Sequence, residues 1–198
     1  MKRKLLGVLA IGLFFVLAGG VSALPTNVAL QGTASQSSTH LINGASPDLF
    51  AAYRAIDDIT APEALVAITC WSCYPWWEVD LLQEYLIDEI EIWPRTDSSC
   101  TAYRLIPSTL SVLNENRDIT WSTNISSLPS DIYAPLTFLP PDITGQFVRI
   151  NLNGCNYLEL AEVQVFSDTT PVSEPATMFL LGTGLTGFGL YRKKRKSF

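Results

Sequence analysis

Between Leu24 and Asp168 the apolar residues recur at every second position in short runs. Ile90-Glu91-Ile92, Leu110-Ser111-Val112, Phe147-Val148-Arg149-Ile150-Asn151-Leu152 and Ala161-Glu162-Val163-Gln164-Val165-Phe166 alternate in this way. Trp76-Trp77-Glu78-Val79-Asp80-Leu81 does so through its second half. A period of two puts alternate side chains on opposite faces of a sheet, so each run predicts a half-buried strand. Pro75, Pro94, Pro107, Pro129, Pro135, Pro140, Pro141 and Asn153-Gly154 separate the runs. These are turn residues, and no stretch of helical period lies between them. The pattern predicts an all-β fold, an antiparallel sandwich or barrel. Alternation requires one of Trp76 and Trp77 to face the core.

The two ends follow different rules. Lys2-Arg3-Lys4, the apolar Leu5–Ala18 and the small residues Val21-Ser22-Ala23 read as a secretory signal peptide over residues 1–23, cut after Ala23. The competing reading, a permanent membrane anchor, is disfavoured by the short apolar core. Residues 169–175 form a polar linker, and residues 176–198 an apolar span followed by Arg192-Lys193-Lys194-Arg195-Lys196. The apolar part would make a helix of about 24 Å, marginal for crossing a bilayer, with its basic end held in the cytoplasm. Gly182-Thr183-Gly184-Leu185-Thr186-Gly187 fits a dinucleotide-binding spacing. That motif needs a βαβ unit and a later acidic residue on the ribose. Neither accompanies it, so it reads as part of the Gly-rich membrane segment.

Composition sharpens this division. The chain has 198 residues, 47% of them hydrophobic and 16% charged, which excludes a disordered protein. Eight of its 13 Lys and Arg lie in the two ends. The stretch 24–168 keeps five Arg against 18 acidic residues, a formal charge of −13. Such a surface repels phosphate backbones, so nucleic acid is excluded as a partner. It suits an exported protein, or one that holds a divalent cation. His40 is the one His, and no nucleophile–base pair can be assembled around it. The expectation is a binding protein, not an enzyme.

Ser173-Glu174-Pro175-Ala176-Thr177, the Gly-rich apolar span and the basic cluster occur in the order of the PEP-CTERM sorting signal of Gram-negative bacteria, which this tail resembles. Ser173 stands where the usual motif has Pro. The resemblance makes Glu174 and Pro175 the sorting residues. It implies an inner-membrane-anchored precursor, processing by an exosortase, and a mature protein at the cell surface or in the extracellular matrix.

A second ordered set runs through the middle of the chain. It comprises Asn27-Val28-Ala29-Leu30-Gln31-Gly32, Ala34-Ser35-Gln36-Ser37-Ser38, Arg54-Ala55-Ile56-Asp57-Asp58 and Pro75–Leu81. Ile87–Ile92, Arg95-Thr96-Asp97 and Tyr157–Phe166 complete it. This set resembles a discoidin (F5/8 type C) domain of the fucolectin-like branch over residues 24–168. The resemblance implies an eight-stranded, jelly-roll-like β-sandwich whose ligand site lies in loops at one end. In fucose-binding relatives an R-x-D pair, a later basic residue and an upstream His bond the sugar. Arg95 and Asp97 match the pair. The later basic position holds Ala102, with Arg104 two residues on. The His position falls near Ser72, and the adjacent Cys pair of that loop is replaced by Ser98-Ser99-Cys100. Guanidinium donors with a carboxylate acceptor suit vicinal hydroxyls. Arg95 and Asp97 would equally make a loop salt bridge. Trp71 and Tyr74 are loop aromatics able to stack on a sugar face or to pack beneath loops.

The resemblance also implies calcium. Asp57 and Glu162 are the matching carboxylates, with carbonyls near Arg54 and Ile59, an oxygen set of the kind Ca²⁺ takes. A solvated acidic loop is the alternative. Cys70, Cys73, Cys100 and Cys155 suggest disulfides in an exported chain and allow three connectivities. The expected pairs are Cys73–Cys100 and Cys70–Cys155, which would staple the site loops. Cys70-Trp71-Ser72-Cys73 has neither the βαβ context of a redox centre nor a second CxxC for zinc. The expected function is therefore an exported surface or matrix protein whose domain binds carbohydrate or exopolysaccharide. The rival is a structural or adhesion protein that binds a protein partner without lectin activity.

Overall fold

A computed structural model describes residues 24–44, 46–61, 65–97 and 99–168. The expected signal peptide, linker and membrane segment, with Glu174 and Pro175, lie outside the described residues. Among the described residues no helix is long and apolar enough to cross a membrane.

The chain forms β1 (Thr26–Asn27), β2 (Thr33–Gln36), β3 (Ala67–Ile68), β4 (Ser72–Cys73), β5 (Trp76–Ile87) and β6 (Glu89–Pro94). There follow β7 (Ser108–Leu113), β8 (Ile119–Ile125), β9 (Leu136–Phe138), β10 (Ile143–Leu152), β11 (Cys155–Asn156) and β12 (Glu159–Ser167). Among the described residues only short helical turns lie between them, at 28–31, 47–50, 52–55 and 99–105. One sheet has the order β1-β12-β6-β9, with β3 also pairing with β12. The other has the order β2-β5-β10-β7-β8, and β4 and β11 make a separate ribbon. Every pairing is antiparallel. Two five-stranded sheets thus replace the eight strands expected, because the short β1 and β3 both add to β12.

The core lies between the sheets. Trp77 and Val79 on β5, Leu110 and Val112 on β7, and Val148 and Ile150 on β10 meet Ile90 and Ile92 on β6 and Val163 and Val165 on β12. These are the alternating positions of the sequence, and all are fully buried. Trp77 is the inward tryptophan, and its indole N–H donates to the Ala52 carbonyl at 3.0 Å, so the buried donor is satisfied. Trp76 lies on the opposite face of β5, beneath the Arg149 guanidinium at 4.2 Å from its ring centroid.

The expected disulfides are corrected. Cys73 bonds Cys155, not Cys100, and Cys70 is a free thiol. The reason is register. β4 and β11 pair with Cys73 directly opposite Cys155, at a Cα separation of 3.8 Å. Cys70 lies before the ribbon begins, where its thiol donates to the Thr39 carbonyl at 3.2 Å.

Candidate functional site

At one end of the sandwich, segments distant in sequence converge on a pocket of about 290 Å³. Its walls are His40 and Ile42 from the loop after β2, Phe50, Ile68 of β3, Arg95 just beyond β6, Arg104, Tyr157 and Glu159. Two of the expected residues, Arg95 and Arg104, therefore share one cavity. His40, which the sequence places in a different segment from the R-x-D loop, faces the same cavity.

Each wall is held by local bonds. Gln36 at the end of β2 donates its amide N–H groups to Thr39 Oγ1 at 3.0 Å, the Phe50 carbonyl at 3.0 Å and the Ile68 carbonyl at 3.3 Å. His40 N–H donates to the Ile68 carbonyl at 2.9 Å. The His40 ring lies against Phe50 and Tyr157, at centroid distances of 5.5 and 5.4 Å. Arg95 is gripped by Asp97 through Nε–H to Oδ1 at 3.0 Å and Nη2–H to Oδ2 at 2.5 Å. Thr101 donates to the Arg95 carbonyl and to Asp97 Oδ1. Asp97 thus fixes the orientation of Arg95 and is not itself part of the wall.

Glu159 lies at the floor and is 1% exposed. Its Oε1 accepts from Arg104 Nη1 at 2.5 Å and lies 3.4 Å from Arg95 Nη1. Its Oε2 is shielded from solvent and has no hydrogen-bond partner. Arg104 also lies over the Tyr157 ring at 5.2 Å. The pocket therefore offers guanidinium donors, one unused carboxylate acceptor, and aromatic and aliphatic walls. Such a mixture suits a ligand with several hydroxyls and a C–H face.

The other expected residues occupy the periphery. Trp71 is 62% exposed and meets the Tyr157 ring edge-on at 5.6 Å, so it forms the rim. Ser72 is on β4, and its hydroxyl donates to the Cys70 carbonyl at 3.4 Å. Neither Ser72 nor Tyr74 lines the pocket. Tyr74 is exposed at the turn before β5, with its N–H on the Gly154 carbonyl. Sequence reasoning missed His40, Ile42, Phe50, Ile68, Tyr157 and Glu159. One signal was available for Glu159: it is a lone charge inside the apolar run Leu158-Glu159-Leu160-Ala161.

Of the expected calcium residues, Glu162 meets the backbone at Asp57. Glu162 on β12 is fully buried, and its Oε2 and Oε1 accept from the backbone N–H groups of Asp57 and Asp58 at 3.2 and 3.1 Å. Asp57 Oδ1 accepts from Ile59 N–H at 3.2 Å. Arg54 occupies the helical turn just before, with its Nε–H on the Asp48 carbonyl. Burial pushes the Glu162 carboxyl from 4.5 up to about 7, and the Asp57 and Asp58 charges add to the rise. Asp57 is raised as well, chiefly by burial. Each Glu162 oxygen has a lone pair beyond the one its N–H uses. Two carboxylates with raised pKa values thus lie near one another, while among the described residues no group of three or more His, Cys, Asp or Glu is arranged to hold a metal ion.

Fold and pocket together define a β-sandwich module of the ligand-binding kind, with its site in the loops at one end. Residues 54–150 match the family model of the F5/8 type C domain described as NedA-like, galactose-binding. Residues 171–195 match the PEP-CTERM protein-sorting motif. The folded region is thus similar to an F5/8 type C domain of the discoidin class, in a chain whose sorting motif indicates export.

Solved structures agree. The lectin domain of lectinolysin, determined with Lewis b antigen, is 28% identical. It covers 72% of this chain and 96% of its own, with a TM-score of 0.64. The fucose binding module SpX-3 of Streptococcus pneumoniae is 27% identical over 72% of this chain and 98% of its own, at 0.63. The fucolectin of striped bass (Morone saxatilis) serum is 30% identical over 73% of this chain and half of its own, at 0.61. No curated protein matched the chain.

Proposed function

We propose that this is an exported, lectin-like protein whose F5/8 type C domain binds carbohydrate in the pocket walled by His40, Arg95, Arg104, Tyr157 and Glu159. The observation that carries the reading is the convergence of two arginines and a histidine on one cavity with aromatic walls. Arg95 and Arg104 donate to sugar hydroxyls. The rings of His40 and Tyr157 face the apolar side of the sugar, and Trp71 stacks on a second sugar at the rim. The fucose-binding neighbours support a fucose-like or galactose-like terminal sugar. Calcium held by Asp57, Glu162 and the carbonyls near Arg54 and Ile59 stabilises the loop from 56 to 61 without touching the pocket. An exosortase processes the inner-membrane-anchored precursor, and the mature protein meets exopolysaccharide at the cell surface or in the matrix.

A glycan array probed with the purified chain tests this, once with Ca²⁺ and once with EDTA. Binding to fucose- or galactose-terminated glycans is expected. Loss of that binding in Arg95→Ala, with an unchanged melting curve, would assign it to this pocket. Silence on every glycan, from a folded sample, would move the function to adhesion through a protein partner.

A further inference from the structure

We infer that Glu159 makes this pocket selective for uncharged sugars and closes it to acidic ones; this rests on the carbohydrate reading above. Glu159 is a carboxylate buried at the floor of the cavity with one oxygen used and one left over. Oε1 takes the Arg104 N–H at 2.5 Å and lies near Arg95, whereas Oε2 faces no donor. A buried acceptor without a partner is costly, and a ligand that supplies a donor removes that cost.

The charges decide which ligand can do so. Arg95 is neutralised by Asp97 through two hydrogen bonds, and Arg104 by Glu159. Two guanidinium groups and two carboxylates leave no net positive charge to receive an anion. What remains unpaired is an acceptor, Glu159 Oε2, and the Arg104 N–H groups that Glu159 does not use. A sugar hydroxyl serves both, because it donates and accepts. A uronate or sialate carboxylate could accept from Arg104, but it would lie against Glu159 with like charge and no donor to offer. The domain's formal charge of −13 adds repulsion of the same sign. An arginine-lined pocket, which at first sight should attract acidic polysaccharide, is therefore built for neutral chains.

The test compares matched immobilised glycans on the full chain. One set ends in fucose or galactose, the other in galacturonate or sialic acid. The wild type is expected to bind the neutral set at least about tenfold more tightly. Glu159→Gln replaces Oε2 with a donor and frees one guanidinium charge. It should weaken neutral binding and shrink the neutral-to-acidic ratio by about tenfold, with the acidic binding now salt-sensitive. Acidic glycans bound as tightly as neutral ones by the wild type would overturn the inference and leave the lectin reading intact. So would an unchanged ratio in a folded Glu159→Gln protein. Should that variant not fold, the wild-type ratio decides alone. Silence on both sets overturns the lectin reading and this inference with it.

Discussion

Two clusters in this domain have nearly the same composition and opposite character. At the pocket, Glu159 faces Arg95 and Arg104, with Tyr157 beneath Arg104. On the outer face of the β2-β5-β10-β7-β8 sheet, Glu78 faces Arg117 and Arg149. Here Phe147 lies beneath Arg117 at 4.1 Å and Trp76 beneath Arg149 at 4.2 Å. Each cluster is one buried glutamate, two arginines and aromatic faces. The Glu78 cluster is complete. Arg117 bonds both carboxylate oxygens, Arg149 bonds Oε2, and Arg149 Nε–H is satisfied by Asn151 at 2.9 Å. The Glu159 cluster lacks one partner, and Glu159 lines a cavity. A closed polar network contributes rigidity, whereas one left open beside a cavity keeps a place for a ligand. Four of the domain's five arginines are divided between the two roles.

The sharpest way to break this comparison is to remove one arginine from each cluster. Arg104→Ala should lower glycan affinity by about a hundredfold or more, because it removes a charge-assisted donor and leaves Glu159 unpaired. Arg149→Ala should leave affinity unchanged within about twofold. Isothermal titration with a single bound glycan reads both, and equal losses would dissolve the distinction.

Stability should show the reverse order. Glu78→Ala strands Arg117 and Arg149 on the sheet face. Breaking a buried pair costs about 3–5 kcal/mol, and the exposure of Arg117, 55%, reduces this to about 2 kcal/mol. Urea unfolding should show that loss, with glycan binding by the folded fraction intact.

A third test concerns Glu162, whose carboxyl is raised by burial in the folded state to about 7 from 4.5. The folded protein then binds the proton more tightly than the unfolded chain. The stability from this group is present in full below about 4.5, falls as pH rises, and is lost above about 7. With EDTA present, the melting temperature should fall between pH 5 and pH 8, and Glu162→Gln should flatten much of that slope. Excess Ca²⁺ should raise the melting temperature most at the upper end of the window, where the carboxylate is ionised. A melting curve indifferent to both calcium and EDTA would count against the ion.

The smallest effect is expected at the rim. Trp71→Ala should weaken binding of a di- or trisaccharide by about three- to tenfold, in line with one lost stacking contact, and leave a monosaccharide nearly unaffected. Equal weakening of both would place Trp71 inside the primary site.

Much of the β architecture was legible because a half-buried strand writes its faces into the chain with a period of two. Val79, Ile90, Ile92, Leu110, Val112, Val148, Ile150, Val163 and Val165 appear as alternating apolar residues and are the core. The R-x-D loop after β6 was legible too, and so were the two carboxylates Asp57 and Glu162. The rest of the pocket was not. Glu159 occupies a strand position in an apolar run and looks like a packing site. His40 lies in a Ser/Thr-rich loop, far in sequence from the loop it joins. Phe50, Ile68 and Tyr157 resemble ordinary core residues, since nothing in their local pattern separates the wall of a cavity from the interior of a sheet.

The sequence by itself determined the class of fold, the acidic charge balance of residues 24–168, the sorting motif, and the Arg95–Asp97 pair. These depend on local periodicity, on charge counted along the chain, or on neighbours two residues apart. Only the tertiary structure decided that His40, Arg95, Arg104 and Glu159 share one cavity, that Cys73 joins Cys155, and that Glu159 rather than Glu78 is left with an open acceptor. Each of those depends on strand register. β4 meets β11 at one offset only, and β12 brings Glu159 beside two arginines while β5 and β10 bring Glu78 beside two others. Register follows from how the two sheets bury their apolar faces together, a property of the whole chain that no short segment carries.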